Sequence, residues 1–121
     1  MSIAGDGGFM FGIGELATAV QYDLVVVAVV FNNDSFGNVL LDQRRMFEGR
    51  EVGARLHNPD FAAVAVAFGA AGYSVHSPGE LEAALAKALA AGRPAVIEVK
   101  TTIGGTATPW KYLMPGWNPA P

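Results

Sequence analysis

Two short stretches hold the residues best suited to chemistry. Gly5-Asp6-Gly7-Gly8 runs directly into the helix-forming segment FMFGIGELATAVQYD, and Asn32-Asn33-Asp34-Ser35 closes the apolar run LVVVAVVF. Glycines let backbone approach an anion closely, and a helix N-terminus offers unpaired N–H groups and the positive end of its dipole. The Asp6 carboxylate would repel such an anion unless a cation lay between them. Mg²⁺ suits that place, because it takes oxygen ligands, few of them from protein and the rest from phosphates and water. Asn33 brings a neutral amide oxygen, and the turn after it can present a main-chain carbonyl, that of Ser35. The expected arrangement puts Asp6, Asn33 and the Ser35 carbonyl on one face of Mg²⁺, with two diphosphate oxygens and a water completing the octahedron. Taken singly, each half is weak, since Gly-Asp-Gly turns are common and Asn-Asn after a strand is ordinary turn chemistry. Together they fall at the ends of adjacent expected parallel strands, where open α/β sheets bind ligands.

The elements that must position these residues are legible in outline. SIAGDGG reads as a buried strand breaking into a glycine turn. The helix after it has Phe11, Ile13, Leu16, Ala17 and Val20 near helical period. Leu24 to Phe31 is continuously apolar and β-branched, as expected of a strand covered on both faces of a parallel sheet. A helix over Asn38 to Met46 and a polar loop from Glu48 to His57 follow. In NPDF, Asn58 is a candidate cap with Pro59 at the first helical position, opening a helix to about Ala71. In SPGEL, Ser77, Pro78 and Glu80 form a capping box for a helix over about Pro78–Ala91, ended near Gly92. Strands at Tyr73–His76 and in PAVIEVK complete the order β-α-β-α-α-β-α-β. That order predicts a three-layer α/β/α fold with a mostly parallel sheet. Residues 1–101 form the expected domain. Residues 102–121, rich in proline and aromatics, are expected to pack across a surface as a C-terminal tail.

Composition narrows the classes. The chain has 121 residues, enough for one domain, with 51% hydrophobic and only 16% charged residues, against about 25% charged in average globular chains. A formal charge of −3 offers no basic patch for nucleic acid, and the absence of cysteine excludes disulfides and thiolate metal sites. No apolar stretch is long enough to cross a bilayer and no segment reads as a signal peptide, so a cytoplasmic location and no membrane partner are expected. The apolar excess suggests a large interface and a homo-oligomer.

GDGGFMFGIGELATAVQYDLVVVAVVFNND resembles the fingerprint of thiamine diphosphate enzymes: Gly-Asp-Gly, a spacer, then Asn-Asn. The resemblance runs from Ser2 to about Thr102 and is closest to the acetolactate synthase and pyruvate oxidase branch, which ELATAVQYDL and NPDFAAVAVAFGAAGYSV also resemble. It implies thiamine diphosphate and Mg²⁺ as cofactors, with Asp6, Asn33 and the Ser35 carbonyl on the metal. It further implies that backbone at Gly7, Gly8, Phe36 and Gly37 holds the diphosphate and that Asn38 faces the thiazolium side. The implied activity is that of a decarboxylase or carboligase acting on 2-oxo acids. Acetolactate synthases carry a Trp-Gln pair on the helix after Asn-Asn; here those positions are Asp42 and Gln43, so the same pocket is not expected. In the family a glutamate of a separate pyrimidine-binding domain drives activation of the cofactor. No such domain is present in these residues, nor the strand and helices that precede Gly-Asp-Gly. The chain is therefore expected to be only the C-terminal part of the diphosphate domain, to carry no catalytic residue and to be inactive alone.

Two other readings stand beside this one. The chain is alternatively a non-catalytic interaction module, or a subunit needing a partner pyrimidine-binding chain; a generic doubly wound domain binding another phosphate is the third. His57 and His76 stand alone and read as surface residues. Glu15 and the Arg44-Arg45 pair read as solvated helix faces, and Glu80 as a capping residue.

Overall fold

A computed structural model of the chain describes residues 1–103. The expected tail falls, from residue 104 onward, outside the described residues. Among the described residues nine elements follow in order: β1 (Ser2–Gly5), α1 (Asp6–Gly12), α2 (Glu15–Gln21), β2 (Val27–Asn32), α3 (Gly37–Met46), α4 (Phe61–Phe68), β3 (Ala71–Val75), α5 (Pro78–Ala90) and β4 (Ala95–Lys100). The strands form one parallel sheet in the order β1-β2-β4-β3. This is the expected α/β architecture, and its carboxyl ends gather the segments that follow Gly5 and Asn32.

Side-chain alternation along the strands divides the core in two. Val27, Val29, Ala95 and Ile97 face α5, which meets them with Ala84 and Ala88. Ala28, Val30 and Val96 face the other way, against Leu16 of α2 and Phe61 and Ala65 of α4. Burying both faces is why β2 carries a continuous apolar run, Val27 to Phe31, rather than an alternating one. It begins at Val27 and not Leu24, because pairing with β4 starts at Ala95 and Val25 is left exposed.

Two local expectations are corrected. The single helix expected after Gly-Asp-Gly is two short ones, broken at Ile13-Gly14, and the break resets which residues face inward. Leu16 and Ala19 are buried, whereas Phe11 is 86% exposed. The cap of α4 is Asp60, whose Oδ1 accepts from the Ala63 N–H at 2.8 Å, not Asn58. Asp60 adopts extended backbone immediately before the helix, and the Asn58 amide is engaged elsewhere. The capping box of α5 forms as read: Ser77 Oγ accepts from Glu80 N–H at 3.3 Å, and Glu80 Oε2 accepts from His76 N–H at 2.7 Å. Helix α4 ends at Gly69 with φ of 94°, a left-handed turn suited to glycine. One glycine is required by proximity: a Cβ on Gly72 of β3 would lie 2.1 Å from the Ala62 carbonyl oxygen of α4.

Candidate functional site

Parallel pairing of β1 with β2 aligns Gly5 with Phe31, so the residues leaving the two strands are neighbours in space. Asp6 is the first of them and is 2% exposed. Its two oxygens are used unequally. Oδ2 accepts from the backbone N–H groups of Asn33 and Ser35, each at 3.2 Å, and from Asn58 Nδ2 at 2.7 Å. Oδ1 accepts only from the adjacent Gly7 N–H, at 2.9 Å, among the described residues. An ionised carboxylate oxygen has more than one lone pair, so Oδ1 keeps capacity for a cation that Oδ2 has already spent on three donors.

The turn after β2 makes this possible. Asp34 takes a left-handed φ of 54°, and its N–H donates to Asn32 Oδ1 at 3.1 Å. The reversal aims the Ser35 N–H back at Asp6. Opposite this turn, Phe36 N–H donates to the Ala54 carbonyl at 2.9 Å and Leu56 N–H to the Asp34 carbonyl at 2.8 Å, which fixes the loop. Ser35 Oγ donates to Asn33 Oδ1 at 2.7 Å, which holds the Asn33 amide oxygen against the Ser35 hydroxyl. The Ser35 carbonyl accepts no hydrogen bond among the described residues.

A cleft of about 220 Å³ runs between the start of α1 and the start of α3, lined by residues 5–8 and 35–39. Asp6, Gly7, Gly8, Ser35, Phe36, Gly37 and Asn38 all line it, and Asn33 stands behind Ser35. The eight residues singled out in the sequence are thus brought together. The N-cap residues of α1 and α3 offer no side-chain acceptor. Asp6 Oδ1 takes the Gly7 N–H, and the N–H groups of Gly8, Gly37 and Asn38 have no acceptor among the described residues, which leaves them for another. The glycines differ in what they permit. A Cβ at Gly7 would lie 2.4 Å from the Phe36 ring, and at Gly37 3.2 Å from Asn33 Nδ2, whereas one at Gly8 would meet nothing within 4 Å. Gly7 and Gly37 therefore let the walls close up, and Gly8 leaves open space.

Three residues of the surroundings, Asn58, Asn32 and Glu98, were given no role at the site from the sequence. Asn58 Nδ2 donates to Asp6 Oδ2 and also to Asn32 Oδ1, at 2.9 Å. Asn32 Nδ2 donates in turn to Glu98 Oε1, at 2.6 Å. Glu98 is fully buried on β4; Lys100 Nζ donates to the same Oε1 at 2.6 Å, and Oε2 has no partner among the described residues. The Asn-Asn pair therefore divides its work, with Asn33 beside the cleft and Asn32 beneath it.

The remaining polar candidates lie apart. His57, His76 and Glu15 are exposed. Arg44 and Arg55 both pair with Glu51 at 2.6 Å, and their guanidinium groups hold its carboxyl below the ordinary value of 4.5. Gln43 exchanges hydrogen bonds with the Val52 backbone, which ties the loop after α3 to that helix. No described helix is long and apolar enough to cross a membrane.

Known proteins resemble the chain in sequence and in fold. Residues 1–99 match the family model described as thiamine pyrophosphate enzyme, C-terminal TPP binding domain. A 2-hydroxyacyl-CoA lyase of Arabidopsis thaliana is 39% identical over 110 residues, covering 82% of this chain and 18% of the relative. The acetolactate synthase isozyme 3 large subunit of Escherichia coli (strain K12) is 39% identical over 88 residues, covering 72% and 15%. Among solved structures, benzoylformate decarboxylase from Polynucleobacter necessarius superposes with a TM-score of 0.79 at 28% identity, covering 88% of this chain and 20% of that one. The thiamine diphosphate-dependent 4-hydroxybenzoylformate decarboxylase of Rhodococcus jostii RHA1 gives 0.78 at 31%, covering 86% and 20%. The chain spans from 15% to 20% of the length of these relatives.

Proposed function

The chain belongs to the thiamine pyrophosphate enzymes, matching their C-terminal TPP-binding domain over residues 1–99, and on that premise we propose that it anchors thiamine diphosphate through Mg²⁺ for a decarboxylase or carboligase acting on 2-oxo acids. The observation that carries the reading is the asymmetry of Asp6: Oδ2 is saturated by Asn33, Ser35 and Asn58, and Oδ1 is left for a cation. The donors fit the group. One carboxylate, the Asn33 amide oxygen and the Ser35 carbonyl make an all-oxygen set of low charge, as a diphosphate-bound Mg²⁺ requires. Gly8 leaves room for the diphosphate, and the N–H groups of Gly8, Gly37 and Asn38 have no acceptor among the described residues. Gly7 and Phe36, whose N–H groups donate to Asp6 Oδ1 and the Ala54 carbonyl, would flank it as backbone walls.

When bound, thiamine diphosphate supplies the electron sink that lets a bond to the carbonyl carbon of a 2-oxo acid break. The residues of this chain bind and orient; none is proposed to move a proton. Turnover on this reading needs a pyrimidine-binding domain, supplied by a longer chain or by a partner, and the 121-residue chain binds without turning over. The reading extends to a cytoplasmic location and to residues 1–101 acting as the cofactor domain.

The test is thermal melting with Mg²⁺, with thiamine diphosphate, and with both. Ligand a hundredfold above its Kd adds about 2.7 kcal/mol, which for a domain of this size raises Tm by roughly 10 °C or more. The shift is expected only with both present, and Asp6→Ala abolishes it. A shift retained by Asp6→Ala would refute the metal assignment, and 2-oxo acid decarboxylation by the pure chain would refute its inactivity.

A second reading, an interaction module seated on a partner or on its own copies, is favoured by one feature. Ile3 on the edge strand β1 is 67% exposed, and Met1, Phe11 and Val25 are exposed as well. Light scattering over a range of concentrations tests it; a monomer throughout refutes self-association.

A further inference from the structure

Asn58 lies 52 residues from Asp6, in a loop that the metal reading does not use, yet it makes the shortest hydrogen bond that Asp6 receives. We propose that Asn58 is a positioning residue for the metal site, holding Asp6 Oδ2 so that Oδ1 alone is offered to the cation, and that Asn32 and Glu98 form its footing. The proposal rests on the Mg²⁺-diphosphate reading given above.

The physical case starts from how a carboxylate is oriented. The backbone donors of Asn33 and Ser35 sit at 3.2 Å, toward the long end for N–H···O bonds. Alone they would leave the carboxylate loosely held. The amide of Asn58 adds a bond of 2.7 Å. Its own orientation is set by its second acceptor, Asn32 Oδ1 at 2.9 Å. Asn32 cannot turn freely, because its Nδ2 is held at 2.6 Å by Glu98 Oε1. Glu98 is a fully buried carboxylate in the middle of the sheet, an expensive residue to place there for packing alone. The order Glu98–Asn32–Asn58–Asp6 thus runs from the floor of the sheet to the proposed metal ligand, with a hydrogen bond at every step. Groups that orient metal ligands in this way change metal affinity by about 10–100-fold when removed.

The experiment uses the 121-residue chain. Mg²⁺ is titrated at fixed, excess thiamine diphosphate, and the midpoint of the rise in Tm is read. Asn58→Ala is expected to move the midpoint to Mg²⁺ concentrations about 10–100-fold higher, and Asn58→Gln, which keeps an amide donor, to recover part of that. Ser77→Ala, which removes the cap of α5 on the opposite face, lowers Tm without moving the midpoint. Glu98→Gln keeps an oxygen for Asn32 and holds the midpoint within about threefold; Glu98→Leu moves it in the direction of Asn58→Ala. Should Asn58→Ala not fold, Asn58→Ser removes the bridge with a polar side chain and carries the same expectation. An Asn58 variant with the wild-type midpoint, while Asp6→Ala abolishes the shift, overturns this inference and leaves the cofactor reading intact. A shift that survives Asp6→Ala, or no Mg²⁺-dependent shift in the wild type, overturns both.

Discussion

Replacing Gly72 by alanine tests how closely α4 is meant to lie on the sheet. A Cβ there would sit 2.1 Å from the Ala62 carbonyl oxygen, 2.8 Å from its carbon and 3.1 Å from its Cα. All three are backbone atoms, so no rotamer change relieves the overlap. Carbon and oxygen rest at about 3.3 Å or more, so α4 must retreat by about 1 Å. That helix carries Phe61 and Ala65, both fully buried between it and the sheet. A gap of about 0.5–1 Å forfeits a quarter to a half of each contact's attraction, on top of roughly 1–3 kcal/mol for overpacking itself. The expected loss is about 3 kcal/mol, or roughly 12–24 °C in Tm for a domain of this size. Thermal melts and urea titrations at constant m-value measure it. Gly8→Ala is the internal control, because its Cβ meets nothing: it should be neutral or stabilising by about 0.5–1 kcal/mol, while filling the cleft and weakening thiamine diphosphate. A Gly72→Ala protein melting within about 3 °C of wild type would refute the reasoning.

Asp60→Ala should remove the α4 cap at a loss of about 1 kcal/mol, and a variant as stable as the parent in urea would return the capping role to Asn58. The Glu51 carboxyl is held below its ordinary value by Arg44 and Arg55, so the folded chain releases that proton more readily than the unfolded one. The resulting stability is present in full above about pH 4.5 and is lost as pH falls through the lower folded value. Glu51→Gln should flatten this acid step and high salt should shrink it; an unchanged acid limb in Tm against pH would count against the pairing.

Much of the fold was legible because its signals are local. The apolar run of β2 and the capping box of α5 each describe their own element: the box forms as read, and the strand forms with its start moved from Leu24 to Val27. The alternation of strands and helices likewise gives the parallel sheet. What failed were choices between near-equivalent local options. NPDF offers two side chains able to cap one helix, Asn58 and Asp60, and only the tertiary partners of Asn58 decide between them. The helix after Gly-Asp-Gly contains two glycines in GIG, and its break there turns Phe11 outward. That Asp6 and Asn33 lie side by side was readable from spacing, since each follows one of two paired strands. The parts played by Asn58 and Glu98 were not, because their significance lies in long-range bonds. A lone acid inside the apolar run AVIEVK was the one available signal for Glu98.

The sheet is parallel throughout, and this sets when the site comes into existence. Its hydrogen bonds join residues 27, 52 and 66 positions apart, none of which a hairpin can bring together. Every such contact waits for the closure of a long loop, the slow kind of step in folding. Asp6 meets Asn33 when β1 and β2 pair, but Asn32 meets Glu98 only after β4, the last of the described strands, has inserted between β2 and β3. A nascent chain would thus hold the Gly-Asp-Gly turn long before it held the network beneath it. Recovery of ligand binding after dilution from denaturant would then trail the appearance of helix, marking the moment at which the final strand is in place.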